Sequence, residues 1–84
     1  MHGALELAPR IRVNVVTPGR IDTREVRARY DLNTEEDRAR FSQDVPIGRM
    51  GKPEEVAAMI LFLTVQGSYI TGQNFFVDGG AYMR

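Results

Sequence analysis

The sequence predicts an α/β chain ordered as helix end, strand, charged excursion, helix and strand, and three stretches carry that reading. "IRVNVV" at 11–16 alternates Ile11, Val13 and Val15 with Arg12 and Asn14, and its β-branched content suits a strand. "PEEVAAMILFLT" puts Pro53 at the favoured first helical position and Glu54 and Glu55 in the first turn, with Gly67 past the end. "NFFVD" at 74–78 reads as a second short strand, stopped by Gly79-Gly80. Two strands joined through a helix run parallel. Parallel strands are normally covered on both faces, so such a pair reads as the edge of a larger sheet.

Residues 1–9 hold helix formers up to Pro9, which cannot continue a helix, so they read as the last turns of one. Pro18-Gly19 turns the chain after the first strand, opening a loop over 17–23. Residues 24–50 are dominated by charge and read as surface. Within them Thr34 stands before "EED", which resembles a capping box with Asp37 at its third position. That predicts a short helix over 35–42, preceded by another near 24–30. In the 53–66 helix, Val56, Met59, Ile60 and Leu63 fall on one face, while Ala57, Ala58, Leu61 and Phe62 fill most of the rest. A helix apolar nearly all round has to be covered on two sides. Residues 79–84 form a tail.

Bulk properties narrow the function. A chain of 84 residues forms one domain at most, and a small core is its ceiling. Eleven basic and eleven acidic residues cancel, so no overall field favours nucleic acid or an anionic membrane. The absence of cysteine removes disulfides, thiolate metal ligands and a cysteine nucleophile together, and is compatible with the cytoplasm. No apolar run approaches the ~20 residues that span a bilayer. His2 is the sole histidine and has no partners for a metal site or a triad, so it reads as inert. Asp78, before two glycines, reads as a strand cap. The arginines of 24–40, interleaved with acids, read as a solvated face.

"ALELAPRIRVNVVTPGRIDT", "PIGRMGKPEEVAAMILFLT" and "SYITGQNFFVDGG", in that order, resemble the C-terminal portion of the short-chain dehydrogenases/reductases. The resemblance implies part of a Rossmann-type doubly wound parallel sheet from an NAD(P)-dependent oxidoreductase. Such enzymes use a serine, a Tyr-x-x-x-Lys pair and a glycine-rich turn for the pyrophosphate. None of these is here. The one lysine, Lys52, follows Gly48 by four positions, and no spacing among the eight glycines gives the dinucleotide fingerprint.

"TPGRIDT" is the part of the active region that the resemblance does supply. Pro18 and Gly19 would shape the turn, the backbone of Ile21 would meet the nicotinamide carboxamide, and the Thr23 hydroxyl would meet the carboxamide or a phosphate. By itself, Pro-Gly is a strand-ending turn. The resemblance further implies a substrate lid over 24–50, and a homo-oligomer, dimer or tetramer, formed through the 53–66 helix and 74–78 strand. NAD or NADP would serve the intact enzyme and bind weakly to this chain alone. The leading reading is a C-terminal segment, inactive alone. The competing one is a non-catalytic self-association or partner-binding module from a truncated reading frame.

Overall fold

The computed structural model describes residues 2–83. Helix α1, His2–Leu7, ends before Pro9 and leads through a turn in which Leu7 C=O accepts from the N–H groups of Arg10 and Ile11. Strand β1 is Val15–Pro18, and it pairs in parallel with β2, Asn74–Val77, in the register Val15↔Asn74 to Pro18↔Val77.

The onset of β1 corrects the expected 11–16 strand. Before Val15 side chains replace part of the ladder: Val13 C=O still accepts from Gly72 N–H at 2.8 Å, but Val13 N–H donates to Thr71 Oγ1 at 3.0 Å. The Asn14 amide donates to Ile70 C=O at 3.0 Å and accepts from Gln73 N–H at 3.1 Å. Alternation is present in the sequence, but its first half is tied by side chains. The strand also runs through Thr17 and Pro18, which the sequence reading put in the loop. Proline is tolerated there because Gly19, not Pro18, donates to Val77 C=O, at 2.9 Å. The proline nitrogen turns to the other edge, so its missing N–H costs no ladder bond.

Between the strands the chain makes α2, Arg24–Arg29, α3, Glu35–Phe41, and α4, Pro53–Val65. Thr23 caps α2 by accepting from Val26 N–H at 3.2 Å. At α3 the capping box forms as its sequence predicts. Thr34 Oγ1 accepts from Asp37 N–H, and Asp37 Oδ2 accepts from Thr34 N–H, both at 3.1 Å. Glu35 and Glu36 sit at the positive end of α3, Arg38 and Arg40 at the negative end.

Helix α4 is fixed at its N-terminus by local side-chain bonds and at its C-terminus by long-range ones. Lys52 has no side-chain acceptor, so the N-terminus has half a capping box: Glu55 Oε1 accepts from Lys52 N–H at 2.8 Å. Arg49 holds the same carboxylate with two bonds, of 2.9 and 3.0 Å. Together they lower the Glu55 pKa from 4.5 to about 2, the Arg49 hydrogen bond being the larger cause. At the C-terminus, Arg12 Nη1 donates to Leu63 C=O at 2.9 Å and Gly67 C=O at 2.7 Å, placing a cation where the helix dipole is negative. A final 3-10 turn, Ala81–Met83, lies in the segment read as a tail.

The buried apolar residues are Ala4, Leu32, Val45, Met50 and Leu63. Leu32, Val45 and Met50 belong to the excursion read as surface, so that segment covers a small core of its own. Of the expected α4 face only Leu63 is buried; Val56 and Met59 are half-buried, and Ile60 is 50% exposed. Two four-residue strands are too narrow to cover the helix. Leu61 and Phe62, on its other side, are 63% and 45% exposed. The radius of gyration is 15.5 Å, whereas a compact domain of this length has about 12 Å.

Two outcomes follow from these contacts. A Cβ at Gly19 would meet Asp78 Cβ at 2.7 Å and Asp78 Cα at 2.8 Å. Gly19→Ala should therefore push the strands apart and destabilise the fold by about 1–3 kcal/mol, as overpacking does. Thermal melting checks it, and an unchanged midpoint would contradict it.

The second outcome concerns acid. Glu55 has a folded-state pKa below its unfolded value, so its contribution is complete above about pH 4.5 and disappears as pH falls through about 2. Melting temperatures measured down that range should fall, and Glu55→Gln should flatten part of the fall. Asp22 and Asp37, both also lowered by hydrogen bonds, supply the remainder.

Candidate functional site

The carboxyl ends of β1 and β2 lie side by side, and the segment 18–23 leaves from there. Pro18 closes β1, and Gly19 lies against Asp78, with no room for a side chain between them. Asp78 is itself held, its carboxylate accepting from Gly80 N–H at 3.0 Å and Tyr82 N–H at 2.8 Å. It therefore caps the final turn, a role close to the strand cap its sequence suggests. Beside it a cleft of about 270 Å³ is lined by Arg20, Ile21, Arg49, Gly51, Glu55 and Asp78, among others.

Ile21 forms a parallel bridge with Gly51: Gly51 N–H donates to Arg20 C=O at 2.9 Å and Asp22 N–H donates to Gly51 C=O at 2.8 Å. In that pattern residues 20 and 22 face Gly51, so the N–H and C=O of Ile21 turn to the opposite edge. They have no partner among the described residues. Thr23 follows on the same segment, its hydroxyl oxygen occupied by Val26 N–H and its proton left to donate. Pro18, Gly19, Ile21 and Thr23 thus remain one continuous segment, and the fold adds Gly51 and Asp78 to them.

Gly51 was missed in the sequence. Its signal is a glycine just before the Pro53 helix start: a Cβ there would meet Ile21 Cδ1 at 2.8 Å. His2 lies exposed in α1.

Charge at the cleft is internally balanced. Arg20 pairs with Asp44, which raises its pKa through their hydrogen bond, and Arg49 pairs with Glu55. Next to the cleft Arg27 grips Asp22 with bonds of 2.6 and 2.8 Å, lowering the carboxyl's pKa. Of the four charged residues of the cleft lining, Arg20, Arg49 and Glu55 are in ion pairs, and Asp78 is held by the backbone N–H groups of Gly80 and Tyr82. Ile21, whose N–H and C=O have no partner among the described residues, lines the cleft, and Thr23 lies two positions on along the same segment.

Similarity to known proteins agrees with this geometry. Residues 2–82 match the family model described as enoyl-(acyl carrier protein) reductase. The 3-oxoacyl-(acyl-carrier-protein) reductase of Aquifex aeolicus is 44% identical over 81 residues, covering 94% of this chain and 31% of that protein. The ligand-free aldohexose dehydrogenase of Thermoplasma acidophilum superposes with a TM-score of 0.88 at 37% identity, covering 99% of this chain and 36% of the other. An NADPH-bound short-chain oxidoreductase of Pseudomonas aeruginosa gives a TM-score of 0.83 at 35% identity, covering 94% and 32%. The chain spans about a third of the length of the curated relatives it matches. Its two parallel strands and the helices between them match part of the Rossmann-type fold those structures share. The chain belongs to the short-chain dehydrogenases/reductases and corresponds to their C-terminal region.

Proposed function

We propose that this chain forms the nicotinamide-side loop, substrate lid and subunit-contact face of an NAD(P)-dependent oxidoreductase acting on a carbonyl or alcohol in the cytoplasm. The observation that carries the reading is the unpaired N–H and C=O of Ile21, just past the carboxyl end of β1, where open α/β sheets bind ligands. A carboxamide has one acceptor and two donors, so an N–H and a C=O side by side can pair with it at two points. Thr23 keeps a hydroxyl proton to donate. These residues fit a nicotinamide end, and the NADPH-bound relative supports a dinucleotide as the ligand.

Bound there, the dinucleotide would supply or accept the hydride. The chain's own residues would orient it: Ile21 through its backbone, Thr23 through its hydroxyl, and Pro18 and Gly19 by holding the turn. Proton transfer to the substrate oxygen lies outside their chemistry, since Tyr30, Tyr69 and Tyr82 have no lysine four positions on. Only the end of the 24–50 segment returns to the strand ends, where Ile47 N–H donates to Gly79 C=O at 3.1 Å and Ile47 and Arg49 line the cleft, and this supports its reading as a lid.

Thr23→Ala in the complete protein should weaken dinucleotide binding by about 1 kcal/mol, roughly fivefold, the usual worth of one hydrogen bond. Because Thr23 also caps α2, Thr23→Ser is the control and should bind nearly as the native protein does. Titration of NAD and NADP checks both. Unchanged dissociation constants in Thr23→Ala would leave the loop a purely structural role.

Self-association through α4 and β2 is the second part of the proposal, supported by the open face of α4. Leu61 and Phe62 are 63% and 45% exposed, so burying what remains against a second copy is worth roughly 0.7–2 kcal/mol each, and a two-fold axis applies each contribution twice. Phe62→Glu should give a monomer or an insoluble chain by sedimentation. An unmodified protein that sediments as a folded monomer at high micromolar concentration would remove this part.

A further inference from the structure

We propose that Arg20 is a positioning residue that ties both short helices of the 24–50 segment to the loop after β1, and so biases that segment toward its closed position beside Ile21 and Thr23. The inference rests on the lid reading above.

The Arg20 guanidinium forks onto the Asp44 carboxylate, Nη1 to Oδ1 and Nη2 to Oδ2, the latter at 3.2 Å. Its Cζ also lies 5.5 Å from the centroid of the Phe41 ring, the last residue of α3. Phe41 in turn packs on Tyr30, the C-cap of α2, with ring centroids 4.8 Å apart. One side chain thus reaches α3 directly and α2 through a single ring. The backbone of the same residue accepts from Gly51 N–H at 2.9 Å, where the segment returns to the fold. Arg20 therefore holds the middle of the excursion by its side chain and its end by its carbonyl, one position before Ile21.

The chemistry calls for arginine. A planar fork meets a carboxylate at two points and stacks over a ring at the same time, which the ammonium of lysine cannot do. The Arg20 and Asp44 side chains are 37% and 56% exposed, so solvent and salt weaken the tie. It biases the lid without locking it. Loss of the tie should act on substrate retention, raising KM more than it lowers kcat.

Hydrogen exchange on the full-length protein reads the tie without reference to activity. In Arg20→Ala the amides of α2 and α3 should exchange about five- to tenfold faster, the worth of an exposed bidentate pair with a ring contact, while the β1–β2 amides keep their protection. Arg20→Lys should fall between. If Arg20→Ala does not fold, Asp44→Asn, which keeps the shape, should move the same amides in the same direction. The exchanged pair, Arg20→Asp with Asp44→Arg, should restore protection relative to either single change. Unchanged exchange in α2 and α3, equal loss in the strands, or no recovery in the exchanged pair would overturn the proposal. Dinucleotide titration of the native protein tests the function separately: faster lid exchange in Arg20→Ala of a protein that binds neither NAD nor NADP would support the tie and remove the oxidoreductase reading.

Discussion

The contact between Gly19 and Asp78 is the constraint on which the rest of the chain depends. With no side chain at Gly19, the two strand ends approach until a Cβ there would lie 2.7 Å from that of Asp78. That approach sets the parallel register and presents Asp78 to cap the final turn. The cap places Gly79 and Gly80, both at positive φ, against Val45 and Pro46. Ile47 N–H then donates to Gly79 C=O at 3.1 Å, fastening the far part of the excursion to the strand it precedes. A four-residue ladder thereby organises a charged segment that no strand touches along most of its length.

Arg12 has the matching role at the other end of α4. It lies in the stretch where β1 was expected to start, and its side chain and that of Asn14 take up backbone groups of residues 63–73, while the Thr71 hydroxyl accepts from Val13 N–H. These bonds explain why the ladder starts at Val15 despite a clear alternation from Ile11. Side-chain substitution for ladder bonds has no period. It could not be read from spacing.

Local signals were legible, and closure was not. Pro53, the Thr34–Asp37 box and Gly67 mark helix ends by chemistry that acts within four residues, and those helices form where their caps stand. The segment 18–23 was legible as a unit because its residues are contiguous. Gly51 was not, since it gains its meaning from Ile21, about thirty residues away, and Asp78 was legible as a cap but not as the neighbour of Gly19, about sixty residues away. The same applies to Leu32, Val45 and Met50. Their neighbours are charged, and what buries them is the way the excursion folds back on itself, a tertiary effect that overrides local composition.

The chain is unevenly completed, and the unevenness has a direction. Its buried polar side chains are all satisfied among the described residues, and both ends of α4 are bonded. Its apolar faces are open on two sides. One is the groove of Val16, Ile60 and Leu63 between strand and helix; the other is the face of Leu61, Phe62 and Val65. The accessible surface is 6462 Å², against about 5,000 Å² for a compact chain of this mass. The excess, roughly 1,400 Å², is more than the ~800 Å² one partner contributes to a standard interface. A single partner on a single face would not absorb it. The groove beside β1, whose free edge carries the peptide groups of Val16 and Pro18, suits continuation of the sheet. The outer face of α4 has no backbone groups to pair, and suits a second apolar surface. Hydrogen bonding has set the geometry of this segment; the covering of both faces is what would make it stable.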